Sequence, residues 1–388
     1  MQSDRLKRLP PYLFVEIDRH KAEYARSGRE VLDLGIGDPD LGAPPELIDT
    51  LRTSLDTVEY HRYPSDRGLT RLVNAIQRWA LDHYGVLLDN DEILVTIGSK
   101  EAIGHLPLAV VNPGDVVLVP DPGYPVYNSS AVFAGAEPVR MPLLKENGYF
   151  PDFSEIAQAD LKRARLVYLN YPNNPTAATV GKKKFEEAIS FCGENALVLV
   201  NDAAYSEISY DARQQSLFPL AKEAGIEYIE LFSFSKTFSI TGWRIGFAIG
   251  SPQVISALAR LKANVDSGVF SAIQAAAASA LETGFILITK RIIEIFRKRR
   301  DILAESLEKG GFKFTVPGAT FYFWISVPGG GSSIEYCGKL LEETGIVATP
   351  GLGFGSHGEG YFRLSITAPD DTILKAGRKL EELGATPL

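Results

Sequence analysis

Residues 197–205 read Leu197-Val-Leu-Val-Asn-Asp202-Ala-Ala-Tyr205. Four apolar residues run without alternation and end on two polar ones. An unbroken apolar run of this length is the pattern of a strand covered on both faces. Leu166–Leu169 upstream and Tyr228–Phe232 and Gly246–Ile249 downstream have the same character, and Ile93–Ile97 and Val116–Pro120 are two further strand candidates. Helical spacing fills Lys100–Val111 between the last two. Strands alternating with helices predict a mostly parallel sheet with helices on both faces. In open sheets of this kind ligands bind beyond the carboxyl ends of the strands. Asp202 stands at such an end, and Asn170-Tyr-Pro-Asn-Asn174-Pro-Thr176 follows another.

Helical spacing also marks Pro45–Leu55 and Gly68–Tyr84. The C-terminal part has a different rhythm. A long charged helix over Thr289–Leu307 leads to strands at Phe312–Thr315 and Phe321–Ile325, a helix at Ser333–Glu343, strands at Ile346–Thr349 and Tyr361–Ser365, and a final helix at Asp370–Leu383. The reading is an α/β chain with two units. Residues 36–285 form a large domain around a mostly parallel, seven-stranded-type sheet. Residues 1–35 and 286–388 form a small α+β domain, with the N-terminal arm over the site. The junction lies around residues 280–295, where no Gly/Ser linker occurs, so close packing is expected.

The chain has 388 residues, 40 Lys and Arg against 48 Asp and Glu, and a formal net charge of −8. That balance opposes binding to nucleic acid, which needs a basic surface, and to anionic membrane surfaces. Two cysteines, Cys192 and Cys337, give no disulfide framework and fit a reducing compartment. The N-terminus has no apolar secretory core. The apolar stretch Ser271–Thr289 carries Ser, Gln, Glu and Gly, which favours a buried helix pair over a membrane span. A cytoplasmic location is expected. None of the five histidines sits in a metal-binding spacing. Gly-x-Ser-x-Gly and phosphate-binding Walker loops are absent. Gly353-Phe-Gly-Ser-His-Gly358 matches Gly-x-Gly-x-x-Gly, but a strand follows where a helix should open.

The segment that concentrates chemistry is Ser233-Phe-Ser235-Lys236-Thr-Phe-Ser-Ile-Thr-Gly242-Trp-Arg244-Ile-Gly246, after the strand Tyr228–Phe232. A lysine in a hydroxyl-rich turn can approach a ligand closely, and an arginine eight residues on can hold an anion beside it. Gly98-Ser99-Lys100-Glu101 lies between a strand and a helix, where backbone N–H groups can cradle phosphate. A lysine amine can condense with an aldehyde cofactor. An acid such as Asp202 can keep a pyridine nitrogen protonated, making the ring an electron sink.

With these motifs the chain resembles the class I aminotransferases, fold-type I pyridoxal-phosphate enzymes, over nearly its full length. The resemblance implies pyridoxal 5′-phosphate as cofactor, Lys236 as the Schiff-base lysine and Asp202 as partner of the pyridine nitrogen. It implies Asn174 and Tyr205 at the phenolic oxygen, and Ser99, Lys100, Ser233, Ser235 and Arg244 at the phosphate. Tyr124, in Asp121-Pro-Gly-Tyr-Pro-Val-Tyr127, corresponds to the aromatic that stacks on the ring. Tyr63, in Tyr63-Pro-Ser-Asp-Arg-Gly68, corresponds to a tyrosine reaching the neighbouring subunit's phosphate, which implies a homodimer with shared sites. Arg363, in Tyr361-Phe-Arg363-Leu-Ser365, takes the carboxylate-binding position, suited to a planar bidentate fork.

Lys262-Ala-Asn264-Val-Asp-Ser-Gly268, Leu9-Pro-Pro-Tyr12 and Gly35-Ile-Gly37-Asp-Pro-Asp40 resemble the LL-diaminopimelate aminotransferases and some close relatives. The resemblance places Tyr12, Gly37 and Asn264 at the substrate, together with Lys100, Tyr124, Asn174 and Arg363. Amino acids and 2-oxo acids are the expected substrates, and no metal is expected. Rival expectations are another aminotransferase, for aspartate, alanine or aromatic amino acids, or a C–S lyase of the same fold. A ligand-sensing transcription factor would need an added DNA-binding module, and about 30 residues before Gly35 do not read as one.

Overall fold

The computed structural model describes residues 2–9 and 13–387. Seven strands build the main sheet: β2 (Ile93–Thr96), β3 (Val116–Asp121), β4 (Glu137–Pro142), β5 (Ala164–Leu169), β6 (Val198–Asp202), β7 (Tyr228–Ser233) and β8 (Gly246–Gly250). Their order is β2–β8–β7–β6–β5–β3–β4. All neighbours pair in parallel except β8, which runs against both β2 and β7.

The apolar runs serve two cores at once. Side chains alternate faces along a strand, so Leu199 of β6 enters the core that contains Val167 and Phe232, while Val200 enters the opposite one with Leu166, Tyr168 and Ile229. β4 escaped the sequence reading. It carries Pro138, Arg140 and Pro142 and is half-exposed. It lies at the sheet edge, where proline and charge are tolerated.

The remaining strands form two small sheets. β11 (Thr349–Pro350), β12 (Tyr361–Ser365) and β9 (Tyr322–Ser326) are antiparallel, and β1 (Leu32–Asp33) pairs in parallel with β10 (Ile346–Val347). The expected strand Ile346–Thr349 is therefore two short strands in different sheets. The expected strand Phe312–Thr315 reduces to a single bridge between Phe314 and Ile325.

The apolar stretch Ser271–Thr289 is also corrected. It is a helix, Ser271–Ser279, that passes through a π-helical turn, Ala280–Gly284, directly into the helix Phe285–Lys309. This run is long and apolar enough to cross a membrane by length and composition. Here Ile288, Ile292, Phe296, Leu303 and Leu307 are buried in the protein core, and the helix lies against Asp370–Leu383.

Candidate active site

The antiparallel course of β8 gathers the site. In register, Ser233 at the end of β7 faces Gly246 at the start of β8, and Gly246 also faces Thr96 at the end of β2. Arg244 and the Gly98–Ser99 turn therefore arrive at the same edge as Ser233, Asp202 and Asn170. That edge is the carboxyl end of the parallel strands, as expected from open α/β sheets.

A cavity of about 380 Å³ opens there. It is lined by Gly37, Ser99, Lys100, Tyr124, Asn174, Asp202, Tyr205, Ser233, Ser235, Lys236, Arg244 and Arg363, which the sequence had nominated. Tyr63 and Asn264 lie outside it. Tyr63 is 90% exposed, and Asn264 donates its side-chain amide to the Arg260 carbonyl. Tyr12 lies outside the described residues.

Asp202 is fully buried. Its Oδ2 accepts a hydrogen bond from the Tyr127 hydroxyl at 2.8 Å, and its backbone carbonyl accepts from Asn170 Nδ2 at 2.6 Å. Its Oδ1 has no partner among the described residues. Burial pushes the carboxyl up to about 6, against the pull of the Tyr127 hydroxyl and the Ala204 N–H. A buried carboxylate oxygen without a donor is costly, so the arrangement suits a cationic N–H ligand.

Lys236 stands across the cavity and donates from Nζ to the Gly37 carbonyl at 2.6 Å. Desolvation, countered by Asp38 and reinforced by Arg363 and Arg244, lowers the amine to about 8. The close fit explains Gly37: a Cβ at that position would lie 1.9 Å from the Tyr322 hydroxyl oxygen.

The anion-binding end has three parts. Ser99 begins the helix Ser99–Val110, whose first N–H groups have no intrahelical partner. Gly98 precedes it at φ +75°, and a Cβ there would meet Arg244 Nη2 at 2.8 Å. The Ser235 hydroxyl is buried without a partner among the described residues. Backbone N–H groups, a guanidinium and hydroxyls together fit a phosphate.

At the other end, Arg363 is 2% exposed. Its Nη1 donates to Asn174 Oδ1 and its Nη2 to the Gly35 carbonyl, both at 2.7 Å. Its guanidinium lies 4.1 Å from the centre of the Tyr322 ring. The hydroxyls of Tyr322 and Tyr205 are 3.0 Å apart.

Four polar lining residues were not nominated from sequence: Tyr127, Asn170, Thr241 and Tyr322. Tyr127, Asn170 and Thr241 stand inside quoted motifs, and their presence there was the available signal. Tyr322 reaches the cavity from β9 of the small antiparallel sheet, which no local pattern announces.

Comparison with known proteins decides what this cavity belongs to. The family Aminotransferase class I and II matches residues 29–380. The chain belongs to that family. Among related aminotransferases, the LL-diaminopimelate aminotransferase of Natranaerobius thermophilus is 46% identical over 387 residues, covering 98% of this chain and 99% of the relative. That of Aquifex aeolicus is 44% identical and covers 98% of both chains. Among solved structures, substrate-bound BacF from Bacillus subtilis superposes with a TM-score of 0.92 at 33% identity, covering 99% of this chain and 98% of the other. Aspartate aminotransferase from Thermus thermophilus superposes with a TM-score of 0.92 at 27% identity, covering 99% of each. The aminotransferase family thus accounts for the whole α/β architecture, including the small sheets.

Proposed function

We propose that this aminotransferase uses pyridoxal 5′-phosphate to exchange the amino group between LL-2,6-diaminopimelate and 2-oxoglutarate. The products are glutamate and tetrahydrodipicolinate, with water released on ring closure. The observation that carries the reaction is one cavity holding a low-pKa amine, an unpartnered buried carboxylate oxygen, a phosphate cradle and a buried arginine. Full-length likeness to proteins named LL-diaminopimelate aminotransferase supports the substrate.

The cavity fits the cofactor on its own chemistry. When bound, pyridoxal phosphate supplies an aldehyde that exchanges amines and a ring that draws electrons from the substrate's α-carbon. Asp202 Oδ1, buried without a partner among the described residues, would accept the ring N–H, and its charge would keep that nitrogen protonated. Ser99, Lys100, Ser233, Ser235 and Arg244 hold the phosphate. Tyr124 would pack against the ring, and Asn174 and Tyr205, which also line the cavity, would bond its phenolic oxygen. Arg363 grips the α-carboxylate of each substrate in turn. With pKa lowered to about 8, the Lys236 amine would take up the proton leaving the substrate's α-carbon and hold it for return.

In this reading Tyr63 serves the partner subunit of a homodimer, which agrees with its exposure. Gly37 lines the substrate site, and Tyr12 and Asn264 bind the far end of the substrate, Asn264 from the partner. The division into residues 36–285 and residues 1–35 with 286–388 belongs to the same reading, with the π-helical turn Ala280–Gly284 at the junction. A cytoplasmic location suits such a biosynthetic enzyme.

A steady-state assay with LL-diaminopimelate and 2-oxoglutarate tests the substrate. Turnover of aspartate, alanine or aromatic amino acids with neglect of LL-diaminopimelate sinks it. Release of a thiol and a 2-oxo acid from a thioether amino acid, with no 2-oxo acid added as acceptor, indicates a C–S lyase instead. Borohydride reduction of the loaded protein is expected to fix the cofactor to Lys236, read by peptide mass. Weaker use of LL-diaminopimelate than of glutamate by Asn264→Ala and Tyr12→Phe tests those two assignments.

A further inference from the structure

The motif Lys262-Ala-Asn264-Val-Asp266-Ser-Gly268 has a second role, seated away from the cavity. Lys262 is 1% exposed. Its ammonium donates to Glu101 Oε2 at 2.9 Å and to Asp266 Oδ1 at 2.6 Å. Asp266 Oδ1 also accepts the Gly268 N–H at 2.8 Å. His105 Nδ1 lies 3.3 Å from the other Glu101 oxygen. The ammonium occupies the space between the two carboxylates, so the cluster is an ion-paired bolt.

Glu101 links this bolt to the active site. It lies in the first turn of the helix that begins at Ser99. Its Oε2 accepts the Ile97 N–H at 2.5 Å. That bond spans the Gly98 turn, the turn that faces Arg244 and aims the Ser99 N–H. A carboxylate there has a cost. It competes with any other anion for the positive helix end, and it repels a phosphate dianion through a low-dielectric interior. An unpaired buried carboxylate is also strongly destabilising.

We propose that Lys262 is a positioning residue for the phosphate cradle. Its ammonium, shared with Asp266, offsets the Glu101 charge, so this carboxylate can lock the Ile97–Ser99 turn with less repulsion of the phosphate that the turn receives. The inference rests on the cofactor reading above. It assigns Lys262 and Glu101 to discrimination between phosphorylated and unphosphorylated forms of the cofactor.

The test compares pyridoxal phosphate with pyridoxal on the cofactor-stripped full-length protein. Binding is followed by visible absorbance, and the readout is the ratio of the two affinities. Lys262→Met is expected to lower that ratio about tenfold, because a buried carboxylate is left uncompensated beside the dianion. Glu101→Gln removes one negative charge, leaves the Lys262 ammonium and keeps an oxygen for the Ile97 N–H, and is expected to raise the ratio. A purely structural role would weaken both ligands equally in Lys262→Met and leave the ratio at the wild-type value, which overturns the proposal. If Lys262→Met does not fold, Glu101→Gln decides, since an unchanged or lowered ratio there also overturns it. Wild-type protein that binds neither ligand counts against the cofactor reading itself.

Discussion

The Tyr127 hydroxyl donates to Asp202 Oδ2 at 2.8 Å, and Asp202 Oδ1 is left without a partner among the described residues. One oxygen is held by the protein and the other faces the cavity. The Tyr127 ring stacks on Tyr168, with centroids 5.0 Å apart, so the donor cannot swing away without disturbing the core. The carboxylate is thus aimed before any ligand arrives, and the aim is set by a side chain of the helix Pro125–Phe133.

The cofactor-free protein therefore carries a strained charge. Asp202 is raised from an ordinary 3.8 to about 6. Between those values the folded chain holds a proton that the unfolded chain has lost, so stability declines as pH rises through that window. The full cost, about 3 kcal/mol, stands above it. Asp202→Asn is expected to raise the melting temperature of the cofactor-free protein at pH 8 and to give no gain below pH 4, read by calorimetry. An equal gain at both pH values would show that the charge is not the cause. With cofactor bound, the same variant is expected to lose turnover by about a thousandfold, the scale of removing a preorganised electrostatic partner.

The lowered Lys236 amine gives a titration of its own. In the cofactor-free protein an amine-acylating reagent should label Lys236 with a rate that is half-maximal near pH 8, while solvent lysines respond near about 10.4. Peptide mass spectrometry across pH resolves the two classes. Lys236→Ala is expected to keep non-covalent cofactor binding and to lose transamination at least about a thousandfold, since nucleophile and proton carrier go together. Labelling of Lys236 that tracks the surface lysines would contradict the reading of the cavity.

Arg363→Lys retains charge and loses the planar fork. Its kcat/KM is expected to fall about a hundredfold for amino donors and oxo-acid acceptors alike, because each presents a carboxylate to the same place. A loss confined to one substrate would move Arg363 from the shared carboxylate site to a side-chain pocket.

Shared active sites can be read by complementation. Tyr63→Ala and Lys236→Ala are each expected to be nearly inactive alone. Co-refolded as a mixture, they form hybrid dimers in which one site has an intact Lys236 and receives an intact Tyr63 from the other chain. Recovery of activity toward a quarter of wild type is the expected result from about half hybrid dimers with one working site each, by random pairing of identical interfaces. No recovery in a mixture shown to be dimeric would place Tyr63 outside the partner's site.

Much of this architecture was legible locally. The runs Leu166–Leu169 and Leu197–Asn201 lack alternation because both faces of their strands are covered, and burial on both sides is written into residue type. Lys236 and Asp202 could be nominated because they follow or end such runs, and strand ends are where an α/β sheet binds ligands. β4 was missed for the converse reason: as a half-exposed edge strand with two prolines, it has no such composition. The Ser, Gln, Glu and Gly content of Ser271–Thr289 argues for a buried helix pair over a membrane span, but a π-helical turn, Ala280–Gly284, joins the two helices without a loop.

The sequence by itself determined the strand–helix alternation, the sheet's two-sided burial and the residue types at its carboxyl edge, because these follow from hydrophobic pattern and local backbone preference. Tertiary structure decided which distant residues meet. The reversed direction of β8 brings Arg244 beside Gly98, β9 swings Tyr322 against Arg363 and Gly37, and the helix Pro252–Val265 sets Lys262 on Glu101, 161 residues away. Each of these contacts depends on the packing of elements remote in sequence. Their energies are set by burial and charge at the point of contact, which no local pattern carries.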